Sequence, residues 1–389
     1  MKFNRVLLIG APFLYSLVDE EILQTHAITP IYSYKKNSHV NQTKHGIVVF
    51  YETLSAENLS TIITETKPDA IVCYNDNFLI QTAKLRDQFS LHGIGSNEIG
   101  KFKLKSEMYK ALEKNIPVPK TIKINTSTTL EEILTQLGDG PYFIKPDNLA
   151  GAEGTAYIPT LTELKNWFSS EHRHHGPYVM QKFYDLPLVH CELYVQDEVI
   201  VYIQARRYSY PNHKFLEGKI IASLPIADKH LSQLIEKQAE AVVKSLGYKN
   251  GVMHTEFFVD HNHSLIFLET NIRQAGGAIN LIHKNRAGLS METAMILLEF
   301  EKNLELKENY SKHEICGYIP IQQGKVIDIK FPRLKGEYYF DVRVKIGDIC
   351  YQPTSASNTA IAFVGSSHSL EDLEEDFHCL ESNNIIKYA

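Results

Sequence analysis

The stretch GVMHTEFFVDHNHSLIFLETNIRQAGGAI, residues 251–279, decides how this chain is read. Two apolar-rich runs flank HNHS, and each carries a carboxylate: Glu256 in the first, Glu269 in the second, with Asn271 and Arg273 following in alternation. A hairpin that turns through HNHS with Asp260 opposite Leu265 places Glu256 directly opposite Glu269, and His254 opposite Asn271 on the same face. A slip of one residue would send the carboxylates to different faces. The alternate positions Phe257, Val259, Ile266 and Leu268 are apolar, so the hairpin is expected to bury one face and gather polar chemistry on the other.

Opposed carboxylates repel, and one is pushed toward protonation unless a cation relieves them. Magnesium does so with oxygen ligands, among which an Asn carbonyl is acceptable. Arg273 continues the same face and can grip phosphate or carboxylate oxygens through its fork of donors. The competing reading is the polar side of a half-exposed sheet. His254, His261 and His263 invite a zinc reading, but His261 and His263 fall at the turn, and they and the run HRHH at 172–175 read as surface histidines.

Outward from the hairpin, the chain divides into three parts. Apolar runs at RVLLIGA, ITPIYSYK, HGIVVFY and PDAIVCYND alternate with helix-forming stretches, giving an α/β unit within residues 1–118. Its first turn, GAPF, lacks the glycine pattern of a dinucleotide site. The stretch NEIGKFKLKSEMYKALEKN reads as one helix leading out of this unit. Residues 119–183 form a small lid unit, with a threonine-capped helix in TSTTLEEILTQLG and a strand–loop–strand in GPYFIKPDNLAGAEGTAYIPT. Residues 184–389 form a large unit with a long helix near 229–246, a helical segment from Gly288 to about Leu298 and a strand-rich end from 311 onward. The class is α/β (α+β).

With 389 residues, 43% of them hydrophobic, the chain can bury more than one core. A net charge of −6 argues against a broad nucleic-acid or anionic-membrane surface. Five scattered cysteines show neither a disulfide framework nor a metal knuckle and suit a reducing, cytoplasmic setting. The basic, apolar N-terminus is read as a first strand rather than a signal segment, and no long apolar run suggests a membrane span.

Lysines and glycines supply the remaining chemistry. Lys145 ends the strand YFIK before the loop DNLAGAEG, where Gly151 and Gly154 permit a close backbone approach to phosphate. Lys105 opens a helical stretch, with Lys103 as an alternative. Backbone along VMQKFYD can read an adenine edge, and Glu192 can accept from ribose hydroxyls or join a polar floor.

In order, LKSEMYKALEKNIPVP (104–119), YFIKPDNLAGAEG (142–154), VMQKFYDLPLVHCELYV (179–195), GVMHTEFFVD (251–260) and IFLETNIRQAGG (266–277) resemble the ATP-grasp superfamily, particularly the carboxylate–amine ligase branch that includes bacterial L-amino-acid ligases. The resemblance implies a preceding α/β domain, a small lid and a large domain enclosing ATP. It implies that Lys105, Lys145, Gly151 and Gly154 meet phosphates, that Gln181, Lys182, Phe183 and Tyr184 flank adenine, and that His190 and Glu192 approach nucleotide or substrate. Glu256, Glu269 and Asn271 would hold magnesium, or manganese, and Arg273 with Lys145 would act in catalysis. The implied partners are a small carboxylate, an amino acid among the candidates, and an amine, joined through an acyl-phosphate, with a homodimer as the analogous assembly. Carboxylation, small-molecule phosphorylation and a non-catalytic nucleotide-binding module are the alternatives. Two features depart from the family pattern: KFKLK before the helix, and Glu153 in the glycine loop.

Overall fold

A computed structural model describes residues 4–149, 153–170, 176–355 and 358–389. Gly151 and the run 172–175 lie outside these residues.

The N-terminal sheet is parallel, with the strand order Ile47–Tyr51, Ile28–Lys35, Asn4–Ile9, Ala70–Cys73. Its central strand buries Val6, Leu7, Leu8 and Ile9 completely, as expected of a strand covered on both faces. Helices Ala56–Thr66 and Leu79–Phe89 connect and cover it; Ser55 caps the first by accepting from Asn58 N–H. The single helix expected around Lys105 is two. Leu104 leaves helical geometry (φ −87°, ψ 119°) and separates Gly100–Lys103 from Lys105–Leu112. Asp147, reaching in from the next unit, satisfies the new N-terminus: its carbonyl accepts from Lys105 N–H, and its carboxylate accepts from Ser106 N–H at 2.8 Å and Ser106 Oγ at 2.7 Å. A break with a distant cap has no local sequence signal.

A second, antiparallel sheet runs in the order Thr121–Ile124, Tyr178–Lys182, Tyr142–Pro146, Ala156–Ile158. The expected threonine cap is a full capping box, Thr129 with Glu132, on helix Leu130–Leu137.

The largest sheet has eight strands, ordered Leu265–Asn271, Gly251–Val259, Leu188–Gln196, Val199–Tyr208, Ile221–Leu224, His313–Pro320, Thr359–Ser367, Glu337–Val342. Helix Lys229–Leu246 packs Ile235, Ala239, Val242 and Val243 in one core with Val189, Leu193, Phe257 and Phe267. Two helices escaped the sequence reading. Ile279–Ala287 buries Asn280, His283 and Arg286 alongside Ile282, so no apolar stripe marks it, and Gly288 (φ +71°) stops it before Met291–Glu299 begins. Leu370–Ser382 does carry helical spacing, with Leu373, Phe377 and Leu380 buried, which the strand-rich reading of 311 onward passed over. All five cysteines are free. No helix among the described residues is long and apolar enough to cross a membrane.

Glu292, buried on helix Met291–Glu299, accepts from Asn280 Nδ2 at 2.8 Å, and burial pushes its carboxyl up to about 7. The folded chain thus holds this proton more tightly than the unfolded one. That advantage is fully present below the ordinary carboxyl value and is lost as pH rises through 7. Glu292→Gln is therefore expected to reduce the fall in Tm between pH 5 and pH 8 measured by calorimetry; an unchanged slope would contradict the assignment.

Candidate active site

The hairpin pairs Glu256 with Glu269 and His254 with Asn271. The route to that register differs from the expected one. Val259, not Asp260, stands opposite Leu265, because the turn is closed inside Asp260, whose N–H donates to the Ser264 carbonyl and whose Oδ1 accepts from Asn262 and Ser264 N–H. Unbroken pairing from there would put Leu268 opposite Glu256. A bulge between Glu256 and Phe257 inserts Leu268 as an extra residue and restores the acid pair. It also re-sorts the apolar residues. Phe257, Val259, Leu265 and Phe267 go to the main core, whereas Ile266 and Leu268 join Phe258 and Leu188 on the opposite side, correcting the assignment of Ile266 and Leu268 to the Phe257 face.

A cleft of about 720 Å³ of free space, part of it open to solvent, lies over this face and is lined from both antiparallel sheets. That size suits a small-molecule site. Glu256 and Glu269 form its acidic end together with Lys105 and Lys145. Lys105 Nζ donates to the Leu149 carbonyl at 2.5 Å and lies 3.8 Å from Glu269 Oε2. Burial pulls the Lys145 ammonium down to about 8, against the opposing pull of Glu269. Lys103 turns away to pair with Asp76, so of the two alternatives Lys105 faces the cleft.

Aromatic and aliphatic walls make up the other end. Phe143, Phe183, Tyr184, Leu188, Phe258 and Leu268 line it, with Tyr184 stacked on Phe258 at 5.4 Å. Gln181 also lines the cleft, but Lys182 alternates to the other side, its ammonium 5.5 Å from the centre of the Tyr142 ring. The Lys182 side chain is therefore not brought to the cleft. Gly154 sits at φ +67° between the lining residues Glu153 and Thr155, where a Cβ would meet Pro146 at 2.9 Å.

Arg273 and Asn271 are near the acid pair in sequence but do not line the cleft. Arg273 Nε is 3.5 Å from Asp76 Oδ1, and its Nη1 donates to the Gln274 carbonyl, so the arginine faces the N-terminal unit. His190 and Glu192 are fully buried. Glu192 Oε1 lies 2.8 Å from His190 Nδ1 and 2.6 Å from His254 Nδ1, which closes it off from a ribose; the expectation that it binds ribose hydroxyls is corrected by this burial, as is the exposure of His190 to a nucleotide. His254 Nε2 then reaches Glu256 Oε1 at 3.2 Å. Burial favours neutral His254, but Glu192 and Glu256 on either side push it up to about 10. His190, Glu192 and His254 form a buried group whose spacing is compatible with a divalent metal.

Sequence reading did not single out Asn212 and His213. Both line the cleft from the turn Asn212–Glu217, with Asn212 Nδ2 donating to Glu256 Oε1 at 3.3 Å and the His213 ring 6.1 Å from Phe183. Their only signal was a place in the polar–aromatic run YSYPNHKF.

No protein-family model matches the sequence. The chain nevertheless has a mixed α/β architecture of several domains, consistent with an ATP-grasp fold arrangement. Among solved structures, an L-amino acid ligase from Bacillus licheniformis superposes with a TM-score of 0.77 at 17% identity, covering 100% of this chain and 99% of that one. An ADP complex of N5-carboxyaminoimidazole ribonucleotide synthetase gives 0.73 at 12%, covering 98% and 99%. Among curated proteins, the L-arginine-specific L-amino acid ligase of Bacillus subtilis is 21% identical over 342 residues, 82% of this chain and 77% of that protein.

The Asp147 cap ties the lysine-bearing helix to the loop after Lys145. Asp147→Ala is expected to cost about 1–2 kcal/mol of stability, read from denaturant unfolding. Loss of less than about 0.3 kcal/mol would show that the helix end finds other partners.

Proposed function

We propose that this chain is an ATP- and magnesium-dependent ligase that joins a small carboxylic acid, an amino acid foremost, to an amine through an acyl-phosphate. The observation that carries the reading is the cross-strand pair Glu256 and Glu269 facing two cleft lysines, Lys105 and Lys145.

The residues fit the implied group. Glu256 Oε1 is occupied by His254 and Asn212, and Tyr208 also bonds this carboxylate, while Glu269 meets Lys105 only at 3.8 Å among the described residues. Hard oxygen donors left in this way beside a cleft suit magnesium, with Asn271 next along the strand. When bound, the metal would neutralise charge on the transferring phosphoryl group. Lys105 and Lys145 then hold phosphate oxygens, Phe183, Tyr184 and Phe258 flank the base, and the loop at Gly154 covers the phosphates. A substrate carboxylate oxygen attacks the γ-phosphorus and the bond to ADP breaks. The amine nitrogen next attacks the activated carbonyl, phosphate leaves with the C–O bond electrons, and the amine gives up a proton. Arg273 is assigned to the substrate carboxylate or acyl-phosphate. Exclusion of water by the small sheet protects that intermediate. The same fold serves the synthetase above, so carboxylation is the second reading, and products separate the two.

The test is ADP release with ATP, magnesium and pooled amino acids, with products identified by mass spectrometry. Substrate-dependent ADP and a condensation product are expected, reduced at least 10²-fold in Glu269→Ala and Arg273→Ala. A bicarbonate-dependent product would replace the ligase reading with the carboxylase one, and ATP binding without stimulated turnover would leave a binding module.

Lys145 supplies a pH test. Its charge is lost as pH rises through about 8, and bound phosphate favours the charged form. ATP affinity is therefore expected to weaken above pH 8 in the parent protein and to stay flat to pH 9 in Lys145→Arg, by calorimetric titration.

A further inference from the structure

Strand Glu337–Val342 ends the eight-stranded sheet, and its only strand partner among the described residues is Thr359–Ser367. Its sequence, EYYFDV, carries neither the proline nor the lysine that commonly blunts such an edge. Glu337, Tyr339, Asp341 and Arg343 are exposed on one face, Tyr339 by 71%. On the other face Tyr338 and Phe340 pack against the core that contains Phe363, and Val342 is 39% exposed.

The ladder determines which backbone groups are free. The Arg343 N–H donates to the Ala360 carbonyl at 2.8 Å, so Arg343 and, by alternation, Asp341, Tyr339 and Glu337 turn their backbone groups toward Thr359–Ser367. Tyr338, Phe340 and Val342 then point theirs outward, where no strand meets them among the described residues. A row of outward N–H groups and carbonyls is a template for another strand.

Charge along the strand says which strand fits. Outward-facing residues pair only with outward-facing residues, so an antiparallel copy of this strand can slide against it only in steps of two. Centred on Phe340, the pairing sets Phe340 against Phe340 of the second copy, Tyr338 against Val342, Tyr339 against Asp341 and Glu337 against Arg343. Aromatic, aromatic with β-branched, and opposite-charge pairs are the favourable cross-strand combinations. One step in one direction opposes Glu337 to Asp341, and one step in the other opposes Asp341 to itself. Like charges directly opposite are destabilising, so one two-fold register stands out.

We propose that Glu337–Val342 is a self-association edge, through which two copies of this chain pair antiparallel about Phe340 and join their eight-stranded sheets into one. The two-fold arrangement uses up both edges and stops at two copies. A stable interface buries about 1,200 Å² or more, beyond what six paired residues supply. The next exposed apolar side chains along the chain are Ile346, Ile349 and Tyr351, and the interface extends to them. This inference does not rest on the ligase reading, since it concerns a surface outside the cleft.

The test is sedimentation of the full-length protein at tens of micromolar, where a mass twice the 44.3 kDa of one chain is expected. Glu337→Arg and Arg343→Glu each set like charges opposite one another and are expected to weaken dimerisation roughly tenfold, while the two together restore it. Each change also breaks a local ion pair, Glu337 with Lys312 at 2.7 Å or Arg343 with Asp341 at 2.8 Å, but local damage adds in the double variant rather than cancelling. Tyr339→Cys combined with Asp341→Cys sets the new thiols across the two-fold on Cα atoms about 4.5 Å apart, within disulfide reach, and is expected to link chain to chain on oxidation where neither single change does. A mass of one chain, or a dimer that neither charge variant weakens and that does not crosslink, overturns the proposal and leaves the edge to a strand of another protein.

Discussion

Two carboxylates held side by side on neighbouring strands are the constraint around which this molecule is arranged. Glu256 and Glu269 repel across the ladder, and the fold answers with Lys105 and Lys145 in the same cleft, His254 beside Glu256, and the neutral amide of Asn212 donating to its Oε1. These groups come from different units, and Lys145 keeps its charge near neutrality at the cost of a deep burial that only the acid pair opposes. The cleft is an electrostatic balance assembled from distant segments.

That dependence extends into the backbone. The Lys105 helix begins where it does because Asp147 caps it, and the next residues of the Asp147 segment lead to the Leu149 carbonyl that Lys105 grips. Asp76 plays the matching part on the other side, shared by Lys103 and Arg273, so that the N-terminal sheet reaches the end of the hairpin. Arg273 is thus poised between two units rather than over the aromatic end of the cleft.

Period and composition carried much of this into the sequence. The four parallel strands, the capping box at Thr129 and the long helix Lys229–Leu246 have local causes, and local causes are legible. The acid pair was legible too, though by a register that the structure reaches differently: the turn is one residue shorter than assumed, and the Leu268 bulge makes up the difference. Bulges and distant caps obey tertiary packing, so neither leaves a pattern along the chain. The same holds for His283, Asn212 and Asp76. Each is an ordinary polar residue until the fold brings it to its partners, and Glu192, read as a ribose acceptor or part of a polar floor, belongs to the interior for the same reason.

The cleft's aromatic end has its own consequence. Phe143 and Phe183 come from the small antiparallel unit, Phe258 and Leu268 from the large sheet, and His213 from a turn between strands of the large sheet that meets the small unit's rings. Neither unit owns a complete wall. Affinity for any flat ligand slotted there is therefore a readout of how the two sheets are spaced and tilted, and a residue far from the ligand that alters that tilt acts on binding without touching it. Selection on such a protein would leave its marks in the connectors as well as in the pocket.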